Sequence, residues 1–191
     1  YSYLTSIPNM SVMAPKNLWE LRAMLDFAME YDRPLAIRYP RGTAYRGLKE
    51  FAMPIAYGKG EMLFEESGIA LLAVGSMVST GEHVREKLKS QGLSCSLANG
   101  RFVKPFDEEL VDRLAKRHSL IVTMEENVLQ GGYGLAVTAY IHEHYPQVRV
   151  LNIALPDAYV EHGNVSVLRE GLGIDSDSII RTMKEGGWIE I

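Results

Sequence analysis

The sequence Ile69-Ala70-Leu71-Leu72-Ala73-Val74 is an uninterrupted apolar run of strand length. From this run to the end of the chain, strand-like and helix-like segments alternate. The predicted strands cover residues 62–65, 69–74, 93–98, 120–124 and 148–153, and a tight turn at Glu66-Ser67-Gly68 joins the first two. This alternation predicts an α/β fold, with a mainly parallel sheet covered by helices on both faces.

The predicted helices between these strands are placed mainly by residues that can cap a helix N terminus. They run from Thr80 to Ser90, from Asp107 to His118, from the residue after Gly132 to His144, over Asn164–Glu170 and over Asp175–Glu185.

Residues 1–48 form a separate predicted unit, the tail of a second α/β domain. Asn17 can cap a helix over 18–30 whose apolar residues form one stripe, and a strand follows over 35–38. We expect the other strands of this unit to come from outside the sequence. Residues 49–60 lack periodicity and read as a linker, and residues 61–191 form the second predicted domain.

Composition excludes several classes of function. The chain has 191 residues, of which 47% are hydrophobic and 23% charged, as in an ordinary soluble globular protein. A net charge of −4 with no basic stripe argues against nucleic acid, and the apolar runs are too short to span a membrane. Cys95 is the only cysteine, so no internal disulfide can form, and we expect it to be an inert strand residue in a reducing compartment.

The pentapeptide Arg38-Tyr39-Pro40-Arg41-Gly42 contains the main candidate for ligand binding. Pro40 fixes its own φ and favours an extended Tyr39, and Gly42 allows a sharp turn directly afterwards. Arg41 is thereby held at a turn, where its planar guanidinium suits a phosphate or a carboxylate. Ligands of open α/β sheets bind beyond the carboxyl ends of strands, which is where Arg41 lies. The residues alone also allow Arg41 to pair with a structural carboxylate.

Two other motifs have structural interpretations. The segment Gly131-Gly132-Tyr133-Gly134 does not match the dinucleotide fingerprint, because Val137 stands in place of the third glycine. We interpret its glycines as positions of close backbone packing at an interface. Arg101 and Lys104 precede a helix N terminus, which disfavours cations, so we expect them to form structural salt bridges elsewhere.

The five histidines do not form a predicted metal site. His142 and His144 are two positions apart and face different sides of a helix, while His83 and His118 occupy predicted surface positions on helices. His162 lies in a predicted loop and is a candidate functional contact, since loops carry function more often than cores. The residues alone predict no complete catalytic set.

Short motifs occur along the chain in an order that is specific as a set. They are Ser2-Tyr3-Leu4, Ile7-Pro8-Asn9-Met10, Met13-Ala14-Pro15, Arg38–Gly42, Arg101-Phe102-Val103-Lys104-Pro105, Glu125-Glu126, Gly131–Gly134, Leu155-Pro156-Asp157 and His162-Gly163. Together they resemble the C-terminal third of the 1-deoxy-D-xylulose-5-phosphate synthase family, which belongs to the transketolase-like thiamine diphosphate enzymes. The chain also begins at Tyr1 without a Met or a signal-peptide pattern, so we expect it to be part of a longer protein.

The resemblance implies a three-domain enzyme, of which this chain holds the end of the pyrimidine-binding domain and all of the C-terminal domain. The family decarboxylates pyruvate with thiamine diphosphate and joins the two-carbon fragment to D-glyceraldehyde 3-phosphate, releasing CO2. The product feeds isoprenoid and thiamine biosynthesis. The resemblance implies that thiamine diphosphate and Mg²⁺ bind mostly outside this chain, which would contain no catalytic, cofactor-binding or metal-binding residue.

The resemblance also implies roles for particular residues. Arg41 matches the arginine that holds the phosphate of the acceptor aldehyde; Tyr39, Glu126 and His162 are secondary candidates for the site. Arg38 shares the motif but lies on the other strand face, so we take it as structural. The implied partners are the N-terminal portion of the same protein and a second copy in a homodimer, in the bacterial cytoplasm.

Two alternative functions remain open at this stage. The chain could be a structural and dimerising module with no activity of its own. It could also be the β subunit of a 2-oxoacid dehydrogenase or part of a split transketolase. The Arg38–Gly42 motif followed by Arg101–Pro105 favours the synthase.

Overall fold

The computed structural model describes residues 1–190. The helices are α1 (Ser2–Thr5), α2 (Leu18–Glu30), α3 (Met77–Ser90), α4 (Glu108–Ala115), α5 (Tyr133–His144), α6 (Val165–Gly171) and α7 (Ser176–Glu185). The strands are β1 (Ser11–Met13), β2 (Leu35–Ile37), β3 (Glu61–Phe64), β4 (Gly68–Ala73), β5 (Cys95–Asn99), β6 (Phe102–Lys104), β7 (His118–Val128) and β8 (Arg149–Leu155). None of these helices is long and apolar enough to cross a lipid bilayer.

A five-stranded sheet in the order β3-β5-β4-β7-β8 forms the centre of the fold. The four strands β5, β4, β7 and β8 are parallel to one another, and the edge strand β3 is antiparallel to β5. The predicted mainly parallel α/β sheet is confirmed. The turn at Glu66-Ser67-Gly68 does not make β3 and β4 neighbours, because β5 lies between them. A few residues are enough to step across one strand, a distance of about 10 Å.

Both faces of this sheet are buried. Alternate β4 residues point to opposite sides, so that Leu71 packs in a cluster with α3 and α7. Its neighbour Leu72 packs in the cluster with α4 and α5. Both leucines are fully buried, as expected for a central strand of a parallel sheet.

A second sheet of three short strands has the order β2-β1-β6. β1 pairs in parallel with β2 and antiparallel with β6, and Met13, Met24 and Phe102 form its small core with α2. The expectation that all partner strands of β2 lie outside the sequence is therefore wrong. The pairing was not foreseen because β1 and β6 have only three residues each. The predicted boundaries at residues 48 and 60 remain a prediction.

Four of the predicted N-caps form as expected. Asn17, Asp107, Asn164 and Asp175 each accept a hydrogen bond from a backbone N–H in the first turn of their helix. The predicted cap at Thr80 is wrong, because α3 already begins at Met77, directly after a turn at Gly75 with φ +60°.

A buried charge network joins the first 48 residues to the strands that follow. It consists of Lys16, Glu20, Glu61 and Arg101, each at most 4% exposed. The Lys16 Nζ lies 3.1 Å from Glu20 Oε1 and 2.6 Å from Glu61 Oε2, and Arg101 contacts the same two carboxylates at 2.7 and 3.1 Å. Arg101 also donates to the carbonyls of residues 53 and 54, so every charge in the network has a partner.

Candidate functional site

The chain turns away from the small sheet directly after β2. The Arg38 N–H donates to the Met13 carbonyl at 2.8 Å and extends the pairing of the two strands by one residue. Gly42 has a φ of +117°, a conformation that favours glycine over residues with a side chain. The turn leaves Arg41 exposed at the end of the strand, as the sequence predicts.

Arg41 lines a cleft of about 680 Å³ between the two parts of the chain. One wall comes from the start of α2 and residues 39–45, and the other from the start of α3 and from α6. The charged side chains on these walls are Lys16, Arg41 and Arg169, and no aspartate or glutamate is among the lining residues. The cleft is thus suited to an anion.

The three cations differ in how they are paired. Lys16 belongs to the buried charge network, and Arg169 is bound to Glu126. Arg41 forms no ion pair or side-chain hydrogen bond with any of residues 1–190, so its guanidinium is available to a ligand. Tyr39 lines the same cleft and is 58% exposed.

A second group, the Glu126 cluster, consists of Arg38, Ser76, Glu126 and Arg169, of which Ser76 and Arg169 also line the cleft. Glu126 Oε1 accepts from Arg169 Nε at 3.2 Å and Nη2 at 3.1 Å. Its Oε2 accepts from Arg38 Nη1 at 3.2 Å and Ser76 Oγ at 2.9 Å. One carboxylate thereby connects the end of β2, the end of β7, the start of α3 and the middle of α6.

The cluster keeps Glu126 ionised. Burial alone would raise the pKa of this carboxyl, but Arg169, the Ser76 hydroxyl and Arg38 outweigh the burial and lower the pKa below its usual value. Arg38, predicted to be structural, is indeed tied to a carboxylate. Glu126, predicted as a secondary contact, bonds the lining residue Arg169 but is not itself among the lining residues, so its role in the site remains a prediction.

The neighbouring carboxyl of Glu125 has the opposite environment. It is 1% exposed and accepts the N–H groups of Tyr133 and Gly134 at the start of α5, at 2.9 and 2.8 Å. Burial raises its pKa to about 7 although both hydrogen bonds favour the charged form. A protein carboxylate occupies this helix N terminus, which agrees with rejecting a dinucleotide site there.

The glycines of this segment allow neighbouring atoms to pack closely against the backbone, as predicted. A Cβ on Gly132 would lie 2.6 Å from both carboxylate oxygens of Glu125, and one on Gly134 would lie 2.6 Å from Thr123 Oγ1. The prediction that they lie at an interface is not tested by these contacts.

The structure does not bring the remaining candidates into the cleft. His162 is exposed in the loop between β8 and α6 and is not a lining residue, so its role remains a prediction.

His118, a predicted surface residue, is buried at the start of β7, where its ring bonds Ser96 Oγ and the Leu114 carbonyl. Lys104 donates to the carbonyls of Thr5 and Ile7, where a salt bridge was expected.

Cys95 is fully buried in β5, and burial raises the pKa of its thiol to about 12. The thiol is thus inert at neutral pH, as predicted.

Sequence reasoning did not identify Arg169 or Ser76 as parts of the site. Arg169 lies 128 positions after Arg41, in a seven-residue helix whose local sequence contains no binding motif. No short pattern in the sequence points to either residue.

Comparisons with known proteins agree with this architecture. The family model described as "Transketolase, C-terminal domain" matches residues 58–179. A split gene transketolase, described as an inactive beta4 tetramer, superimposes with a TM-score of 0.87 at 25% identity, covering 96% of this chain and 59% of that one. A transketolase from Campylobacter jejuni matches with a TM-score of 0.69 at 18% identity, over 96% of this chain and 27% of that one, which shows the shared fold.

The curated relatives with high identity share one name. A 1-deoxy-D-xylulose-5-phosphate synthase from Lachnoclostridium phytofermentans is 49% identical over 94% of this chain. One from Heliobacterium modesticaldum is 40% identical over 96%, and one from Aquifex aeolicus is 38% identical over 96%. The chain spans only 29% of the length of each of these relatives.

Proposed function

The chain belongs to the transketolase C-terminal domain family, and on that premise we propose that it is the C-terminal part of a 1-deoxy-D-xylulose-5-phosphate synthase. The proposal is supported by 49% identity to a synthase of that name over nearly the whole chain. In the complete enzyme, pyruvate is decarboxylated and its two-carbon fragment is joined to D-glyceraldehyde 3-phosphate. The protein acts in the bacterial cytoplasm as a homodimer, without nucleic acid or membrane partners.

The task of this chain in that reaction is to bind and orient the acceptor. Arg41 holds the acceptor phosphate, and Tyr39 lies beside it in the cleft. A phosphate monoester carries a charge of about −1.5 to −2 near neutral pH and matches the planar donors of a guanidinium. Fixing the phosphate places the aldehyde carbon at a constant distance from the reaction centre, so that catalysis gains from orientation.

One observation supports this assignment above the others: Arg41 is the cation of the cleft walls that has no partner among residues 1–190. A structural arginine at a domain edge would be expected to engage a carboxylate. Lys16 and Arg169 on the same walls both do so.

We propose that the magnesium of the complete enzyme binds outside this chain. Within residues 1–190 no group of three or more His, Cys, Asp or Glu side chains is placed to hold a metal ion. When bound, thiamine diphosphate supplies the carbanion that attacks pyruvate, and we propose that it is held by the part of the enzyme that precedes this chain.

A consequence is that the isolated chain has no synthase turnover and serves there as a structural and dimerising module. The structural relative described as an inactive tetramer of a split transketolase favours this second reading of the fragment. The alternatives of a 2-oxoacid dehydrogenase β subunit or a split transketolase are less favoured, since the curated relatives named above are synthases.

The test is the substitution Arg41→Ala in the complete enzyme. We expect the KM for D-glyceraldehyde 3-phosphate to rise about 100-fold, the effect of losing a charge-assisted bidentate contact of about 3 kcal/mol. Pyruvate decarboxylation without acceptor should stay within about twofold of the wild type. An equal loss of both half-reactions would contradict the assignment of Arg41 to the acceptor phosphate.

A further inference from the structure

We propose that Arg169 of α6 is a second specificity-determining residue for the acceptor phosphate, and that Glu126 is the positioning residue that orients it. This inference rests on the proposed function, because it assumes that the cleft of Arg41 receives a phosphorylated aldehyde. It assigns to the C-terminal domain a direct part in recognising the substrate, beyond packing and assembly.

The positions of the two arginines allow them to share one ligand. Arg41 belongs to the wall that follows β2, and Arg169 to the wall formed by α6, so they line one cleft from two different parts of the chain. Two guanidinium groups from separate walls can both contact the three oxygens of one phosphate, whereas a carboxylate offers only two oxygens. Such a site would prefer a phosphorylated acceptor over the same aldehyde without its phosphate.

Arg169 keeps hydrogen-bond donors that no group among residues 1–190 uses. Its Nε and Nη2 atoms both bond a single oxygen of Glu126, at 3.2 and 3.1 Å. The Nη1 group makes no hydrogen bond with any of residues 1–190. A guanidinium has five N–H donors, so one edge of Arg169 is fixed by Glu126 while the Nη1 donors remain available to a ligand. The side chain is 23% exposed, which is enough for contact with a ligand in the cleft.

The charges around the cleft also suit a phosphate. Arg38, Arg41 and Arg169 contribute three positive charges, and Glu126 contributes one negative charge. The surplus of two positive charges matches a phosphate monoester that carries about −2.

The orientation of Arg169 depends on Glu126. The carboxylate is itself held by Arg38 and by the Ser76 hydroxyl, so that its Oε1 faces α6 at a fixed place. An arginine clamped on one edge loses less conformational entropy on binding a ligand than one that moves freely.

The experiment compares two acceptors in the complete enzyme. D-Glyceraldehyde 3-phosphate and D-glyceraldehyde differ only in the phosphate, so the ratio of their kcat/KM values reports recognition of that group. We expect Arg169→Gln to lower kcat/KM for the phosphorylated acceptor about tenfold, as for one lost charge-assisted contact, and for D-glyceraldehyde less than about twofold. Arg169→Lys keeps the positive charge but loses the planar pair of guanidinium donors. It should lower kcat/KM for the phosphorylated acceptor about threefold.

A matched control is Arg181→Gln on α7, since Arg181 is also a helical arginine bonded to a side chain, the Ser178 hydroxyl. It should leave the ratio unchanged. Glu126→Gln should lower the ratio by less than Arg169→Gln, because the arginine remains but is no longer fixed. An unchanged ratio in Arg169→Gln, or an equal loss for both acceptors, would overturn the inference. If Arg169→Gln does not fold, an unchanged ratio in Arg169→Lys overturns it.

The Arg41 and Arg169 variants distinguish failure of this inference from failure of the proposed function. If Arg41→Gln leaves the ratio unchanged, the cleft does not bind the acceptor phosphate and the proposed function of Arg41 fails. If Arg41→Gln lowers the ratio and neither Arg169 variant does, the proposed function stands and only the role of Arg169 fails.

Discussion

The buried charge network and the Glu126 cluster both tie the first 48 residues to the strands after residue 60, but they differ in balance and in access. In the buried network two cations meet two carboxylates, and every side chain is at most 4% exposed. In the Glu126 cluster one carboxylate meets two arginines whose side chains are 33% and 23% exposed. Removing one partner from the balanced, closed group would leave a buried charge uncompensated, whereas an open group with surplus charge can bind a ligand.

The largest effect is expected from breaking the buried network. The substitution Glu61→Ala would leave Lys16 and Arg101 buried with only Glu20 between them, and uncompensated buried charge is costly. We expect a loss of about 3–5 kcal/mol in the free energy of unfolding, measured by urea denaturation of this chain. Glu65→Ala, at an exposed carboxylate that also bonds an arginine, is the matched control and should cost far less. Comparable losses in both variants would contradict the distinction between closed and open groups.

A smaller effect is expected from the two adjacent carboxyls of β7, whose pKa values shift in opposite directions. The pKa of Glu125 is about 7 in the folded chain, above its usual 4.5, so the folded state holds the proton longer than the unfolded state. Stability therefore falls as pH rises from about 4.5 to 7, and is constant above. Glu125→Gln removes this dependence, so the stability of the wild type relative to the variant should fall by about 2 kcal/mol between pH 5 and 8.

The control for this prediction is Glu126→Gln. The pKa of Glu126 is lowered, so its contribution is present above the unfolded pKa and is lost only as pH falls through the lower, folded value. The difference between the wild type and Glu126→Gln should therefore be flat from pH 5 to 8. A slope in that range for Glu126→Gln, or none for Glu125→Gln, would contradict the assigned environments.

Local sequence predicts the parts of the fold that depend on local interactions. The helix capped by Asn17 has the predicted bounds, because cap chemistry and apolar periodicity are encoded within a few residues. The helix ending at His144 also has its predicted bounds. Pairing between distant segments is not encoded in this way. β5 lies between β3 and β4, and β1 pairs with β6. Both arrangements depend on how distant strands pack against each other, and no short sequence pattern shows them.

The residues of the candidate site show the same difference between local and long-range information. Arg41 could be found from the sequence, since Pro40 and Gly42 beside it dictate a turn at the end of a strand. Arg169 could not, because only the completed sheet brings α6 opposite to residues 39–45. The buried position of Arg101 was equally hidden, since its partners Glu20 and Glu61 come from two other segments.

The central claim is that the unpartnered guanidinium of Arg41 receives the phosphate of the acceptor. The most direct measurement is a crystal structure of the complete enzyme with glycerol 3-phosphate, which carries the phosphate but lacks the reactive aldehyde. The account predicts the phosphate oxygens within about 3 Å of the Arg41 guanidinium nitrogens, inside the cleft between residues 39–45 and α6. A phosphate bound elsewhere, with Arg41 still facing solvent, would contradict it.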